Sequence, residues 1–131
     1  MPLRLGLRLV AGLAARDAEA LLAARAEVTS LVNAWDDAAA ERLAAVNLFL
    51  DRDQARRRTE FMQQRAEVGA CRDAGGWVSI ENPLRGDWLL SCERGDLIAS
   101  VTLAPIVPPR VQHLELRRAP AGGPKASSTC P

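Results

Sequence analysis

The spacing of apolar positions along this chain changes once, near residue 70. Before that point apolar residues recur at three- and four-residue steps, and beyond it they alternate with polar ones. The first spacing belongs to amphipathic helices and the second to strands with one buried face. Between Asp17 and Trp35 the stripe consists of Ala18, Leu21, Leu22, Val28, Leu31, Val32 and Trp35. It predicts the longest helix. Asp36 and Asp37 then offer carboxylates to the free amides of a first turn, so a second helix is expected through Ala38 and Leu43 toward Val46 and Phe49. Asp51-Arg52-Asp53 opens a third through Phe61 and Met62 to Val68, with Gly69 placed for a left-handed C-terminal cap.

Four strands are predicted after it. Trp77 to Glu81 puts Val78 and Ile80 on one face and Trp77, Ser79 and Glu81 on the other, before a turn at Asn82-Pro83-Leu84-Arg85-Gly86. Asp87 to Glu93 follows, with Trp88, Leu90 and Cys92 on a common face. Arg94-Gly95-Asp96 closes a hairpin into Leu97 to Ala104, where Ala99, Val101 and Leu103 oppose Ser100 and Thr102. Pro105, Pro108 and Pro109 end that strand. Val111 to Arg118 then points Gln112, Leu114 and Leu116 inward and His113, Glu115 and Arg117 outward. Helices first and sheet second make an α+β domain whose N-terminal helices cover one face of an antiparallel meander.

That domain spans residues 17 to 118. Residues 1 to 16 are an N-terminal extension or the start of the first helix; Arg4 and Arg8 ahead of a short apolar run also resemble a secretory signal. Residues 119 to 131, rich in proline, glycine and serine, read as a flexible tail.

A chain of 131 residues with 48% hydrophobic and 25% charged positions belongs with folded single domains, not disordered segments. Seventeen basic against 16 acidic residues give a net charge of +1, too small a field to draw in nucleic acid. No apolar run reaches the ~20 residues of a membrane span, so none is expected. The three cysteines fit no zinc or redox spacing, and neither metal nor cofactor is expected. Cys71 and Cys92 become neighbours if Asp73-Ala74-Gly75-Gly76 loops out of the sheet. A disulfide there would imply an oxidising compartment outside the cytoplasm; the reading taken is two buried free thiols in a cytoplasmic protein. Cys130 lies in the tail.

His113 is the one imidazole available for acid-base work. Its alternation with Glu115 and Arg117 is that of a solvated strand face, so no catalytic role is assigned. The carboxylate pairs Asp36-Asp37 and Asp51/Asp53 sit at helix starts, where capping accounts for them. Arg56-Arg57-Arg58 spreads over about 200° of a helix, so one stem packs inward. Trp35, Trp77 and Trp88, together with Phe61 and Met62, are the candidate ligand-binding residues, the natural lining of any pocket between helices and sheet. There is no Ser-x-x-Lys, no Gly-x-Ser-x-Gly, no phosphate-cradling glycine loop and no histidine pair. Catalysis by this chain is not expected.

Helices followed by a four-stranded antiparallel meander resemble the cystatin-like, nuclear-transport-factor-2-like α+β cone. Four runs carry a second likeness: Val32-Asn33-Ala34-Trp35-Asp36-Asp37, Asn47-Leu48-Phe49-Leu50-Asp51 with Arg56-Arg57-Arg58, Pro83-Leu84-Arg85-Gly86, and Pro108-Pro109-Arg110-Val111-Gln112. They look like C-terminal accessory regions of bacterial serine hydrolases of the β-lactamase-related, penicillin-binding type, over about residues 28 to 118. The resemblance implies a curved sheet and a non-catalytic accessory, ligand-binding or protein-interaction domain. The implied partners are a fused or associated hydrolase domain, a second copy paired through the sheet as a dimer, or a small apolar ligand. That family's catalytic serine and lysine have no counterpart here. The alternative is a small enzyme of the ketosteroid-isomerase or polyketide-cyclase type, with its acid-base group inside the cone, where such enzymes often use a tyrosine that this chain lacks.

Overall fold

The computed structural model describes residues 19–120. The signal-like extension over residues 1 to 16, most of the proposed tail and Cys130 lie outside the described residues. Helix α1, described over 19–33, buries Leu21, Ala24, Val28, Leu31 and Val32 against the sheet. Two members of the predicted stripe depart from it, since Leu22 is half exposed and Trp35 lies past the helix end, half-buried.

Helix α2 is Asp37–Leu43, and its N-cap Asp36 accepts from the amides of Ala38 and Ala39. It stops short of Val46 and Phe49. Ala44 turns extended and the Ala45 amide donates to Val111 O at 2.7 Å, so the chain pairs with a sheet edge in place of a further helical turn. A one-turn helix α3, Leu48–Asp51, follows. Helix α4 is Gln54–Val68, capped by the Asp53 carboxylate on Arg56 N and ended by Gly69 at φ 82°. Gly69 is fixed twice over: its φ is costly for any other residue, and an added Cβ would lie 2.7 Å from Glu93 Oε1.

Five strands, not four, form the sheet: β1 Cys71–Asp73, β2 Ser79–Asn82, β3 Arg85–Cys92, β4 Gly95–Ala104 and β5 Arg110–Arg118. All pairings are antiparallel, in the order β1-β3-β4-β5, with β2 also on β3. β1 faces Leu90–Cys92 and β2 faces Arg85–Asp87, so the two share one edge of β3 as an interrupted strand. The missed strand β1 has three residues and no period to read.

The curved four-stranded cone expected from the sequence is not formed; the sheet is open. One boundary is the broken β1/β2 strand. At the other, helix-side groups occupy the outer edge of β5: Ala45 N bonds Val111 O, and Arg57 Nη1 bonds Leu114 O at 2.8 Å. An edge whose acceptors are already engaged is closed to a further strand. Arg57 is the inward-packing member of the arginine triplet, and burial pushes its guanidinium below the usual value.

A register shift against Thr102/Leu103 corrects the face assignment of β5. Thr102 pairs His113 while Leu103 pairs Val111, so Val111 and Leu114 both point to the core and Gln112 occupies the irregularity. His113 stays exposed, as expected. The core between α1, α4 and the sheet is built on Trp88, Leu90, Leu97, Ala99, Val101, Leu103, Val111 and Leu114, with Phe61 and Val68 from α4.

Cys71 and Cys92 are register partners of β1 and β3, with Cα atoms 4.0 Å apart, and are joined by a disulfide. This corrects the free-thiol reading. The excursion expected over Asp73–Gly76 begins later, since Asp73 pairs Leu90 and Ala74 N bonds Leu89 O; the chain leaves the sheet at Gly75 and Gly76 and rejoins β3 ahead of Ser79.

Candidate functional site

Three features hold the unusual chemistry of the described residues. The first is Arg25, a cation only 5% exposed on the inner stripe of α1. A buried guanidinium needs partners. Its Nε donates to Asp73 Oδ2 at 2.6 Å, a second nitrogen donates to Asp73 Oδ1, and Nη1 donates to Gly76 O. Its Cζ lies 4.5 Å from the Trp77 ring centroid and 5.7 Å from that of Trp88, within cation-π range. The two indoles meet edge to face at 6.0 Å. Arg25 thus pins the loop between β1 and β2 onto the helix. Its hydrogen bonds hold the Asp73 carboxyl below the usual range, against the opposite pull of partial burial and with help from the Gly75 amide.

The loop also explains Trp77. Parity had placed it with Ser79 and Glu81, but the strand begins only at Ser79, and Trp77 folds back over Gly86 and Trp88 on the helix side. A cavity of about 400 Å³ beside it is lined by Leu22, Arg25, Ala26, Asp73, Gly75, Gly76 and Trp77. Trp88 is wholly buried and reaches no opening.

The second feature lies at the other end of α1. Trp35 stacks edge-on against buried Phe61, with centroids 5.2 Å apart, and its Nε1 donates to Asp37 Oδ1 at 2.7 Å. That bond, joined by Arg58, keeps the Asp37 carboxyl below its usual value. Met62, 58% exposed, forms with Trp35, Leu31, Val32, Ala34 and Arg65 a groove of about 260 Å³. The five candidate residues therefore divide. Trp35 and Met62 share a groove with Phe61 behind it, while Trp77 and Trp88 belong to the Arg25 cluster.

The third feature was not foreseen. Val46 is 94% exposed, Leu50 75%, Ile106 48% and Val107 98%. The segments that carry Val46, Ile106 and Val107 meet at one end of the sheet: Ala44 bridges Val111, Ala104 pairs Arg110 at the base of the β4–β5 loop, and Arg110 Nη1 donates to Arg42 O at 3.0 Å, while Leu50 lies on α3 beside β5. Val46 had been read as part of a helical stripe. The usable signal for Ile106 and Val107 was an Ile-Val pair among three prolines, apolar residues with no periodic partner.

Several acidic groups near these features are engaged in holding the fold. Asp36 and Asp53 cap helices, Asp73 binds Arg25, Glu93 accepts from Ala70 N at 2.6 Å, and Arg52 bridges Glu60 and Glu115. His113 is exposed on the outer sheet face, opposite Thr102. Among the described residues no helix is long and apolar enough to cross a membrane. No protein-family model, no curated protein and no solved structure matches this chain.

Proposed function

We infer that this chain is a docking module that presents its apolar end to a partner domain. The carrying observation is the exposure of Val46, Leu50, Ile106 and Val107 on segments that meet or pack at β5. Single exposed apolar residues are ordinary, whereas a contiguous set rimmed by polar groups marks an interaction surface. Arg110, joined to Arg42 O by a hydrogen bond, is the polar group at the base of the loop that carries Ile106 and Val107. The partner proposed is the catalytic domain of a serine hydrolase, the class to which the sequence resemblance points. The Cys71–Cys92 disulfide supports an extracytoplasmic, oxidising setting for the pair.

Site-specific photocross-linking tests this. Benzoylphenylalanine at positions 46, 50 and 107 should cross-link in the producing cells to one protein carrying a Ser-x-x-Lys motif, and the same probe at position 113 on the outer sheet face should not. Val46→Asp combined with Val107→Asp should weaken the association at least about tenfold, as loss of central apolar contacts does. Equal labelling from position 113 would refute the surface. Cross-links to a second copy of the chain would refute the hydrolase partner and make this end a homodimer interface.

A further inference from the structure

An open sheet exposes backbone donors and acceptors along its edges, and the described residues cover two stretches of edge but leave a third. On β5, Ala45 N and Arg57 Nη1 occupy the Val111 and Leu114 carbonyls. On β1, the Asn33 side-chain amide donates to Cys71 O at 2.7 Å and accepts from Cys71 N at 2.8 Å, standing in for one peptide group of a neighbouring strand. β2 has no such cover. All four of its residues are exposed, and among the described residues no group from outside the sheet bonds to its backbone. The register shows which groups are free. Asp87 O accepts from Val78 N at 2.9 Å, so the backbone groups of Asp87 face β2 and those of Gly86, one residue earlier, face β4. Ile80 is the partner of Gly86. Its N–H and C=O therefore have no counterpart on β3 and point out from the open edge. A Cβ on Gly86 would meet Trp77 and Leu21, which places the Ile80 side chain on the helix side as well, yet Ile80 is 50% exposed.

We propose that β2 pairs with β2 of a second copy of this chain, antiparallel about a twofold axis at Ile80, joining the two sheets into one. A residue that offers both a free donor and a free acceptor is self-complementary under a twofold: the Ile80 N–H of each copy donates to the Ile80 carbonyl of the other. The two Ile80 side chains then meet across the axis on the helix side, as directly opposed residues of an antiparallel pair do. Charge favours this register. Ser79 falls opposite Glu81 of the other copy, hydroxyl against carboxylate, whereas an axis one residue later would set Glu81 against Glu81. β2 and β5 lie on opposite sides of β3 and β4, so this contact uses none of the residues of the apolar end. Four residues at ~3.4 Å each make a contact about 14 Å long. That belongs with weak interfaces below ~1,200 Å², and a Kd of about 0.1 mM is expected.

Sedimentation velocity of the full chain between about 10 μM and 1 mM should show monomer giving way to dimer. Over the same range, hydrogen exchange at the Ile80 amide should slow about fourfold, following the fraction of free chain, while amides within β4 exchange unchanged. Ile80→Pro removes the free N–H without taking a bond from the fold, and Ile80→Lys sets two like charges directly opposite each other. Both variants should stay monomeric at about 1 mM. If the proline variant fails to fold, the lysine variant and the wild-type exchange rates decide. A wild-type chain that is monomeric at about 1 mM, an Ile80 amide indifferent to concentration, or a dimer that persists in either folded variant would overturn the assignment.

Discussion

Removing the Asp73 carboxylate should unfasten the β1–β2 loop. Asp73→Asn keeps the shape and one neutral acceptor but leaves Arg25, 5% exposed, without a counter-charge, its remaining partners being that acceptor, the Gly76 carbonyl and two indole faces. Orphaning one member of a fully buried ion pair costs about 3–5 kcal/mol. The Asp73 side chain keeps 33% of its surface in water, and solvent screening discounts the pair, so about 2 kcal/mol is expected at pH 7. For roughly 100 ordered residues that lowers the melting temperature by about 10 °C. Urea unfolding followed by tryptophan fluorescence measures it directly, since two of the three tryptophans stack on Arg25.

The pH dependence gives a sharper check. The folded pKa of Asp73 is depressed, so its stabilising contribution is complete above the unfolded value near 3.9 and is lost as pH falls through the lower folded value. The gap between wild type and Asp73→Asn should stay constant from pH 7 to about pH 5 and narrow below about pH 4. A gap under about 0.5 kcal/mol at pH 7, or one that widens in acid, would refute the clamp.

Two other perturbations follow from the same region. The Cys71–Cys92 bridge closes a loop of sequence separation 21, so replacing both cysteines by alanine should cost about 3 kcal/mol by the chain-entropy estimate. Differential scanning calorimetry with and without reductant measures it, and a wild-type melt unchanged by reductant would contradict the bond. Gly69→Ala must adopt φ 82° and press its Cβ against Glu93, so a loss of about 1–2 kcal/mol is expected. A neutral result in chemical denaturation would show that the cap is not held in this conformation.

Local chemistry was legible where a few neighbouring residues suffice. Asp36, Asp53 and Gly69 cap where sequence spacing puts them, because a cap satisfies amides or carbonyls of its own first or last turn. The excursion at Gly75 and Gly76 was readable from its glycines, although Asp73, read as part of it, belongs to β1. Arg25 was readable too and was passed over: it stands four residues after Leu21 and three before Val28, on the buried stripe itself. A charge on an apolar face announces a partner without naming it. Trp77 was misplaced because parity holds only while a strand lasts, and the loop ends it one residue before Ser79.

Helix-then-sheet order, the caps at Asp36, Asp53 and Gly69 and most strands were thus determined by the sequence, since each depends on periodicity or on contacts within a turn. Tertiary structure alone decided the existence of β1, the pairing of the cysteines, the shift of register at Gln112 and the openness of the sheet. Each of these is a contact between residues far apart in the chain: Asn33 with Cys71, Cys71 with Cys92, Arg57 with Leu114, and Ala45 with Val111. The open sheet is the clearest case. No residue of β5 encodes it, because the groups that occupy its edge come from Ala45 and Arg57, more than fifty residues earlier.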